Sequence, residues 1–298
     1  MKKSAKDISL EKLRSYSRAF SRSVFMDIIE FEDFSHVNWL LEHDNEKNHF
    51  GSYIEFFTYL YSILKKQYRC EYFFKNEIIT QYIIKNFGTE KSILFNEFRV
   101  GESIVDLAMM NGESKAFEIK TDFDSPKRLL KQLEDYHRIF NKVYLAVSCE
   151  KVVEYLNIIP DYVGVLTLGI NRNKVFVKTV RDAVTSIDID CDTLMQCLRM
   201  SEYKNIIFEY YQTVPTQEDS GLYDTCLKAM REIPKFELNR LFLKEIKKRK
   251  TVTQKLTDIP AEFRQMCLSL NLSPKKIEIL FNKLEQNITD QPICISRI

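Results

Sequence analysis

Apolar positions recur at helical spacing from the start of the chain to Phe87, switch to a period of two after Ser92, and return to helical spacing beyond Asp188. Leu10, Leu13, Phe20, Val24 and Ile28 form a core-facing stripe, so residues 1–50 read as short amphipathic helices. Gly51 opens a second helical stretch, in which Tyr53, Phe56, Phe57, Tyr59, Leu60, Ile63 and Leu64 make an apolar surface too wide for a single buried side. A third helix is expected from Glu71 to Phe87, with Gly88 as its stop.

The period-two region predicts three strands, Ile93 to Val100, Ser103 to Met110 and Lys115 to Thr121, turning at Gly101-Glu102 and at Asn111-Gly112-Glu113. Ser125-Pro126 then starts a helix, Ser as N-cap and Pro in the first turn, with Leu129, Leu133, Tyr136 and Phe140 facing inward. A buried-type strand from Lys142 to Val147, a short helix from Glu150 to Ile159, and strands at Tyr162 to Leu168 and Lys174 to Val180 follow. The class is α/β, divided as an N-terminal helical extension (1–50), a core (51–187) and a C-terminal helical region (188–298), the last broken by a polar stretch from Pro215 to Gly221.

Register decides which acids of the meander meet, because side chains alternate across a strand. A two-residue turn at Gly101-Glu102 sets Val100 against Ser103 and Glu97 against Asp106. At the second hairpin a two-residue turn would pair Val105 with Glu118, whereas a three-residue loop or a bulge pairs Asp106 with Glu118. The second option is expected. It gathers Val105, Leu107, Met109, Phe117 and Ile119 on one apolar face and aligns Lys120 with the acids on the other.

Burying unpaired charge is costly, so such a cluster needs neutralising. A hard divalent cation does this with oxygen ligands from one or two carboxylates, waters and a substrate phosphate. Such an ion lowers the pKa of water and stabilises charge on a scissile phosphate, with Lys120 beside it to orient the nucleophile. The alternative is a structural ion-pair network in which Lys120 bridges Asp106 and Glu118.

Composition removes other chemistries. The chain is 45% hydrophobic and 29% charged with a net charge of +2, so nucleic acid would have to be held by a local patch. Lys247, Lys248, Arg249 and Lys250 form one basic run, and Arg128 stands near the start of the helix after the meander; such a run is also the ordinary pattern of a solvated helix face. The seven cysteines include no C-x-x-C pair and the four histidines no H-E-x-x-H, so neither a zinc site nor a disulfide framework is expected. The seven glycines form no phosphate-binding loop, so no nucleotide cofactor is expected. The first twenty residues lack the apolar segment of a signal peptide and no window is long enough to span a membrane, which makes a soluble, cytoplasmic protein the expectation.

Val105-Asp106 followed by Glu118-Ile119-Lys120, on strands in the order helix, three strands, helix, strand, resembles the PD-(D/E)XK nuclease superfamily with its restriction-endonuclease-like fold. Arg99 to Ala108 and Glu118 to Asp122 resemble in addition the R-x-G-E-S-x-V-D-L-A and E-I-K-[ST]-D stretches of a bacterial nuclease-like group within it. The resemblance covers roughly residues 71–168. It implies that Asp106 and Glu118 bind Mg²⁺ or Mn²⁺, that the Ile119 carbonyl is a possible third ligand, and that Lys120 is the catalytic lysine. It also implies that Gln132 and Tyr136 match the Q-x-x-x-Y helix pair that orders the site; on its apolar stripe, Tyr136 alone reads as core. The upstream acid is taken as Glu97, which fits the register, with Glu77, which fits the family's helical position, as the alternative. No iron-sulfur cluster is implied, since the flanking cysteines are absent.

The function so implied is metal-dependent hydrolysis of phosphodiester bonds in DNA, with the helical extensions contacting nucleic acid, a protein partner or a second copy. The alternative is a catalytically silent scaffold that binds nucleic acid or a partner.

Overall fold

Serine hydroxyls start the first two helices. Ser9 caps α1 (Leu10–Arg18) by accepting from the Lys12 amide, and Ser21 caps α2 (Arg22–Phe31) by accepting from Val24. Helices α3 (Ser35–Glu42), α4 (Tyr53–Gln67) and α5 (Glu71–Glu77) follow. From α5 the chain passes through a π-helical stretch, Ile78–Ile83, into α6 (Ile84–Phe87), so the helix expected from Glu71 to Phe87 is continuous with a widened middle. Gly88, at φ +67°, ends it.

This computed structural model describes residues 8–44, 49–215 and 221–288. The start of the signal-peptide reading, the polar break within 216–220 and Cys294 lie outside the described residues. The described cysteines are all free, and no described helix is long and apolar enough to cross a membrane.

Six strands form one mixed sheet in sequential order: β1 (Ile93–Val100), β2 (Ser103–Met110), β3 (Ser114–Lys120), β4 (Lys142–Ser148), β5 (Gly164–Asn171) and β6 (Lys174–Arg181). The first three are antiparallel, β3, β4 and β5 run parallel, and β6 returns antiparallel along β5. Parallel neighbours need crossovers, and α7 (Leu129–His137) and α8 (Val152–Leu156) supply them. Ser125 caps the 3₁₀ turn Pro126–Arg128 that leads into α7.

Both meander turns have the expected lengths. Val100 pairs with Ser103, with the left-handed backbone confined to Gly101, and Met110 pairs with Ser114 across the three-residue loop Asn111–Glu113. The β2–β3 ladder ends at the pair Leu107 with Phe117, one residue short of the expected pair Asp106 with Glu118. Leu107, Met109, Phe117 and Ile119 are buried; Val105 is buried too, but in the core of Leu129, Leu133 and Tyr136, which those four do not share.

The chain forms two compact units whose limits differ from divisions at 50 and 188. The sheet unit is residues 81–254. It includes α9 (Cys191–Cys197), α10 (Met200–Tyr211), α11 (Leu222–Arg231) and α12 (Lys235–Ile246), whose Leu194, Ile206, Met230 and Phe242 share one core with Leu145, Val165 and the α7 residues Leu129, Leu133 and Tyr136. The helical unit joins residues up to 80 with those from 255 onward, including α13 (Arg264–Ser269) and α14 (Pro274–Leu284). Its wide apolar α4 is explained by that pairing: Phe57 lies 5.3 Å from Phe25 and 5.8 Å from Phe263, and Phe263 lies 5.4 Å from Phe281. Asn76 clinches the join, donating to the Ala261 carbonyl and accepting from the Gln265 amide.

Candidate active site

Four of the sequence-predicted residues meet at the C-terminal end of β3, under α7. Lys120 Nζ lies 2.6 Å from Glu118 Oε1 and donates to Gln132 Oε1 at 3.1 Å. Gln132 in turn donates to the Tyr136 hydroxyl at 3.4 Å. That hydroxyl is 2.7 Å from Glu118 Oε2 and 2.7 Å from the Ile104 carbonyl oxygen. Gln132 and Tyr136 are one helical turn apart, which is why a single helix face closes the ring. Asp106 joins from β2, its Oδ2 accepting from the Ile119 amide at 2.8 Å.

Glu118 is 2% exposed, and its acidity reflects that. Burial pushes its pKa up to about 7, the neighbouring Asp106 carboxylate adds to the rise, and Lys120 works against it. Burial also raises the Tyr136 hydroxyl, reinforced by Glu118. The Ile104 carbonyl can only accept, so it takes the Tyr136 proton; the short contact to Glu118 Oε2 is then satisfied when the carboxyl carries a proton of its own.

Glu97 is not gathered with the other acids. It stands in line with Asp106, between the pairs Asn96 with Leu107 and Phe98 with Val105, but its φ is +58° and its side chain is exposed. The left-handed residue interrupts the alternation of β1, bringing Phe95 and Phe98, three positions apart, to a ring separation of 5.5 Å. Phe98 is buried and Phe95 half-buried against the same core, while Glu97 is left exposed. Glu77 belongs to the helical unit, where its Oε1 accepts from the Tyr61 hydroxyl at 2.7 Å. Among the described residues no group of three or more His, Cys, Asp or Glu side chains could hold a metal ion. What the site offers is a carboxylate pair, Asp106 and Glu118, with the backbone of Ile119 between their strands.

The basic candidates divide. Arg128, Lys247, Lys248 and Lys250 are exposed, with Lys248 paired to Glu245. Arg249 turns inward: its guanidinium binds both carboxylate oxygens of Glu202, at 2.7 and 2.6 Å, and lies over the Phe95 and Phe98 rings. It is a structural residue of the sheet unit, as a planar guanidinium suits bidentate pairing and stacking.

Sequence reasoning missed the supports. Ser103 donates to Asp135 Oδ2 at 2.7 Å, tying the start of β2 to α7, and Lys131 holds the other Asp135 oxygen. Asp124 accepts from the Thr121 amide and hydroxyl, and Ser148 donates to Asp122, which shapes the loop after Lys120. The sequence signal for these was present in Ser103 of the Gly-Glu-Ser turn and in the Thr-Asp-Phe-Asp run.

The sequence profile of the family described as Bacteriophage P4 protein cII matches residues 64–270, which include the whole sheet unit and every residue of this site. The chain belongs to that family. Protein cII of Enterobacteria phage P4 is 30% identical over 136 residues, 46% of this chain and 49% of its own length. The chain thus spans about half the length of the curated family relative it matches. Two solved structures are also similar to this family member in part. One is the SPO1766 protein of unknown function from Silicibacter pomeroyi, with TM-score 0.31, 14% identity, and coverage of 49% of this chain and 94% of that one. The other is Pyrococcus furiosus SfsA in complex with Ca²⁺, with TM-score 0.24, 16% identity, and coverage of 37% and 63%.

Proposed function

We propose that the sheet unit has a restriction-endonuclease-like core and that the chain is a divalent-metal-dependent nuclease, hydrolysing phosphodiester bonds in DNA. The observation that carries this reading is the closed network of Glu118, Lys120, Gln132 and Tyr136 beside Asp106, in which each side chain of the sequence motif meets another. The donor set fits a hard cation: two carboxylates and a backbone carbonyl are the oxygen ligands that Mg²⁺ or Mn²⁺ takes alongside water and substrate phosphate. Asp106, Glu118 and the Ile119 carbonyl would hold the ion, which supplies Lewis-acid stabilisation of the phosphate when bound.

The chain's own groups do the rest. Lys120 presents an ammonium next to the reacting phosphate and is aimed by Gln132. Tyr136 fixes the rotamer of Glu118, and the protonatable Glu118 can hold or release a proton near neutral pH. The test is cleavage of single-stranded, duplex and branched DNA, and of RNA, with Mg²⁺ or Mn²⁺. Wild-type protein is expected to cut and Asp106→Ala and Lys120→Ala to be at least a hundredfold slower; equal residual cleavage by all three proteins would overturn the reading.

One observation favours a second reading. Lys120 is already committed to a buried carboxylate, with 12% of its side chain exposed, so the network is closed on itself as a structural one would be. On that reading the family member binds nucleic acid or a partner without cutting, and calorimetric titration with Mg²⁺ and Mn²⁺ should show no binding.

A further inference from the structure

The sheet ladder connects the candidate site to a feature of the far edge. Lys120 pairs with Val147, Val147 with Thr167, and Thr167 with Lys178, so Lys120 and Lys178 stand on one row and one face, three strand spacings apart. At ~4.8 Å per spacing that is about 14 Å. Side-chain contacts trace the same face near the edge. Thr167 donates to Cys149 Sγ, a Cβ on Gly169 would meet both Cys149 and Phe176, and Lys178 Nζ lies 5.0 Å from the Phe176 ring centre. Lys174 pairs with Asn171 and, two residues from Phe176, belongs to that face too.

We propose that this face of β6, Lys174, Phe176 and Lys178 with Arg172 of the preceding turn, is the track that holds the phosphodiester backbone of a single nucleic-acid strand leading into the Asp106, Glu118 and Lys120 site. The proposal deepens the nuclease reading and rests on its claim that nucleic acid reaches this site. Arg172, Lys174 and Lys178 are exposed, and no acid interrupts the run from Arg172 to Arg181. Arg181 is spent internally on the Val163 and Pro160 carbonyls and on Asp161. In a chain whose net charge is only +2, such a run is where a polyanion is attracted.

Charge complementarity thus identifies the partner as a polyanion, and the burial of Glu118 and Lys120, 2% and 12% exposed, favours a narrow single strand over a double helix. The Phe176 ring lies under the Lys178 ammonium, a cation–π contact that keeps the charge on the face shared with Lys120. Lysines on an edge strand also discourage edge-to-edge pairing of sheets, a role that predicts association, not lost binding, when they are removed.

The test is fluorescence anisotropy of the full chain with a labelled single strand of about 20 nucleotides, long enough to cover the track and the site, in EDTA and across a salt series. The variants are Arg172→Glu/Lys174→Glu/Lys178→Glu, its charge-neutral Gln counterpart, Lys247→Glu/Lys250→Glu on the rival basic run, and Asp106→Ala. The β6 variants are expected to bind at least tenfold more weakly, and the slope of log affinity against log salt should become shallower by about two for three lost phosphate contacts. The Lys247 and Lys250 variant should bind as wild type does.

Unchanged affinity and slope in the β6 variants, loss confined to the Lys247 and Lys250 variant, failure of wild-type protein to bind, self-association as the only change, or a β6-dependent preference for duplex would each overturn the proposal. Cleavage assays separate it from the parent reading. If wild-type protein never cuts but the β6 variants lose binding, the track stands and the nuclease reading falls. If wild-type protein cuts and the β6 variants cut with unchanged KM, the nuclease reading stands and the track falls.

Discussion

The Tyr136 hydroxyl bridges two elements of the sheet, 2.7 Å from Oε2 of Glu118 on β3 and 2.7 Å from the Ile104 carbonyl on β2. Tyr136→Phe removes the bridge while leaving the ring in its buried place. The Ile104 carbonyl then loses its donor, and the Glu118 carboxyl and the Gln132 amide lose their acceptor, around a buried position. The variant should lose about 1–3 kcal/mol of unfolding free energy in a urea titration, the cost of buried polar groups left unpaired. An unchanged midpoint would show that water replaces the hydroxyl.

Glu118 links stability to pH. Its pKa stands at about 7, above the ordinary carboxyl value of 4.5, so between these values the folded chain binds more protons than the unfolded one. Stability from this group is therefore fully present below the unfolded value and is lost as pH rises toward 7. Glu118→Gln keeps a neutral side chain of the same shape at every pH. Relative to wild type, it should gain about 2–3 kcal/mol between pH 5 and pH 8, measured by denaturant unfolding at each pH without added metal. A constant difference between the two proteins across that range would contradict the protonated carboxyl.

Arg249 and Lys247 look alike in the basic run and should behave in opposite ways. Arg249→Ala strips both bonds from the largely buried Glu202 and uncovers Phe95 and Phe98, so a loss of about 2–4 kcal/mol is expected. Lys247→Ala, at an exposed position, should stay within about 0.5 kcal/mol of wild type. Thermal unfolding of the two variants side by side decides this.

Two glycines of β5 make a further contrast. A Cβ on Gly164 would stand 2.5 Å from the Tyr144 ring and 2.7 Å from the Ala183 amide nitrogen, a backbone atom that cannot step aside. At Gly169 the obstacles are the side chains of Phe176 and Cys149. Gly164→Ala should therefore cost about 2–3 kcal/mol and Gly169→Ala less, as read from unfolding midpoints.

Much of the meander was legible because one face had to be apolar. Leu107 and Met109 of β2 line up with Phe117 of β3 because the second loop has three residues, whereas Val105, expected on the same face, joins the core of Leu129, Leu133 and Tyr136 instead. Glu97 was not legible, because nothing in Asn-Glu-Phe announces a left-handed glutamate; the demand comes from Phe95 and Phe98 both needing cover. The inward turn of Arg249 depends on Glu202, far away in sequence, and a run of cations looks the same whichever member is paired. Lys174, Phe176 and Lys178 had the alternating pattern of a strand, but their row with Lys120 exists only once three ladders are in register.

The union of residues before 80 with residues after 255 has a consequence for the order in which the chain is made. During synthesis the aromatic surface of α4 emerges before the sheet unit, yet Phe263, which packs on Phe57, and Phe281, which packs on Phe263, emerge only after it. The sheet unit can complete its core, closing with the bond from the Leu94 amide to Thr253 Oγ1, while the first helices still wait. Of the two units, the helical one begins to emerge before the sheet unit and is completed after it. In that interval Phe25 and Phe57 are the surface a chaperone would find.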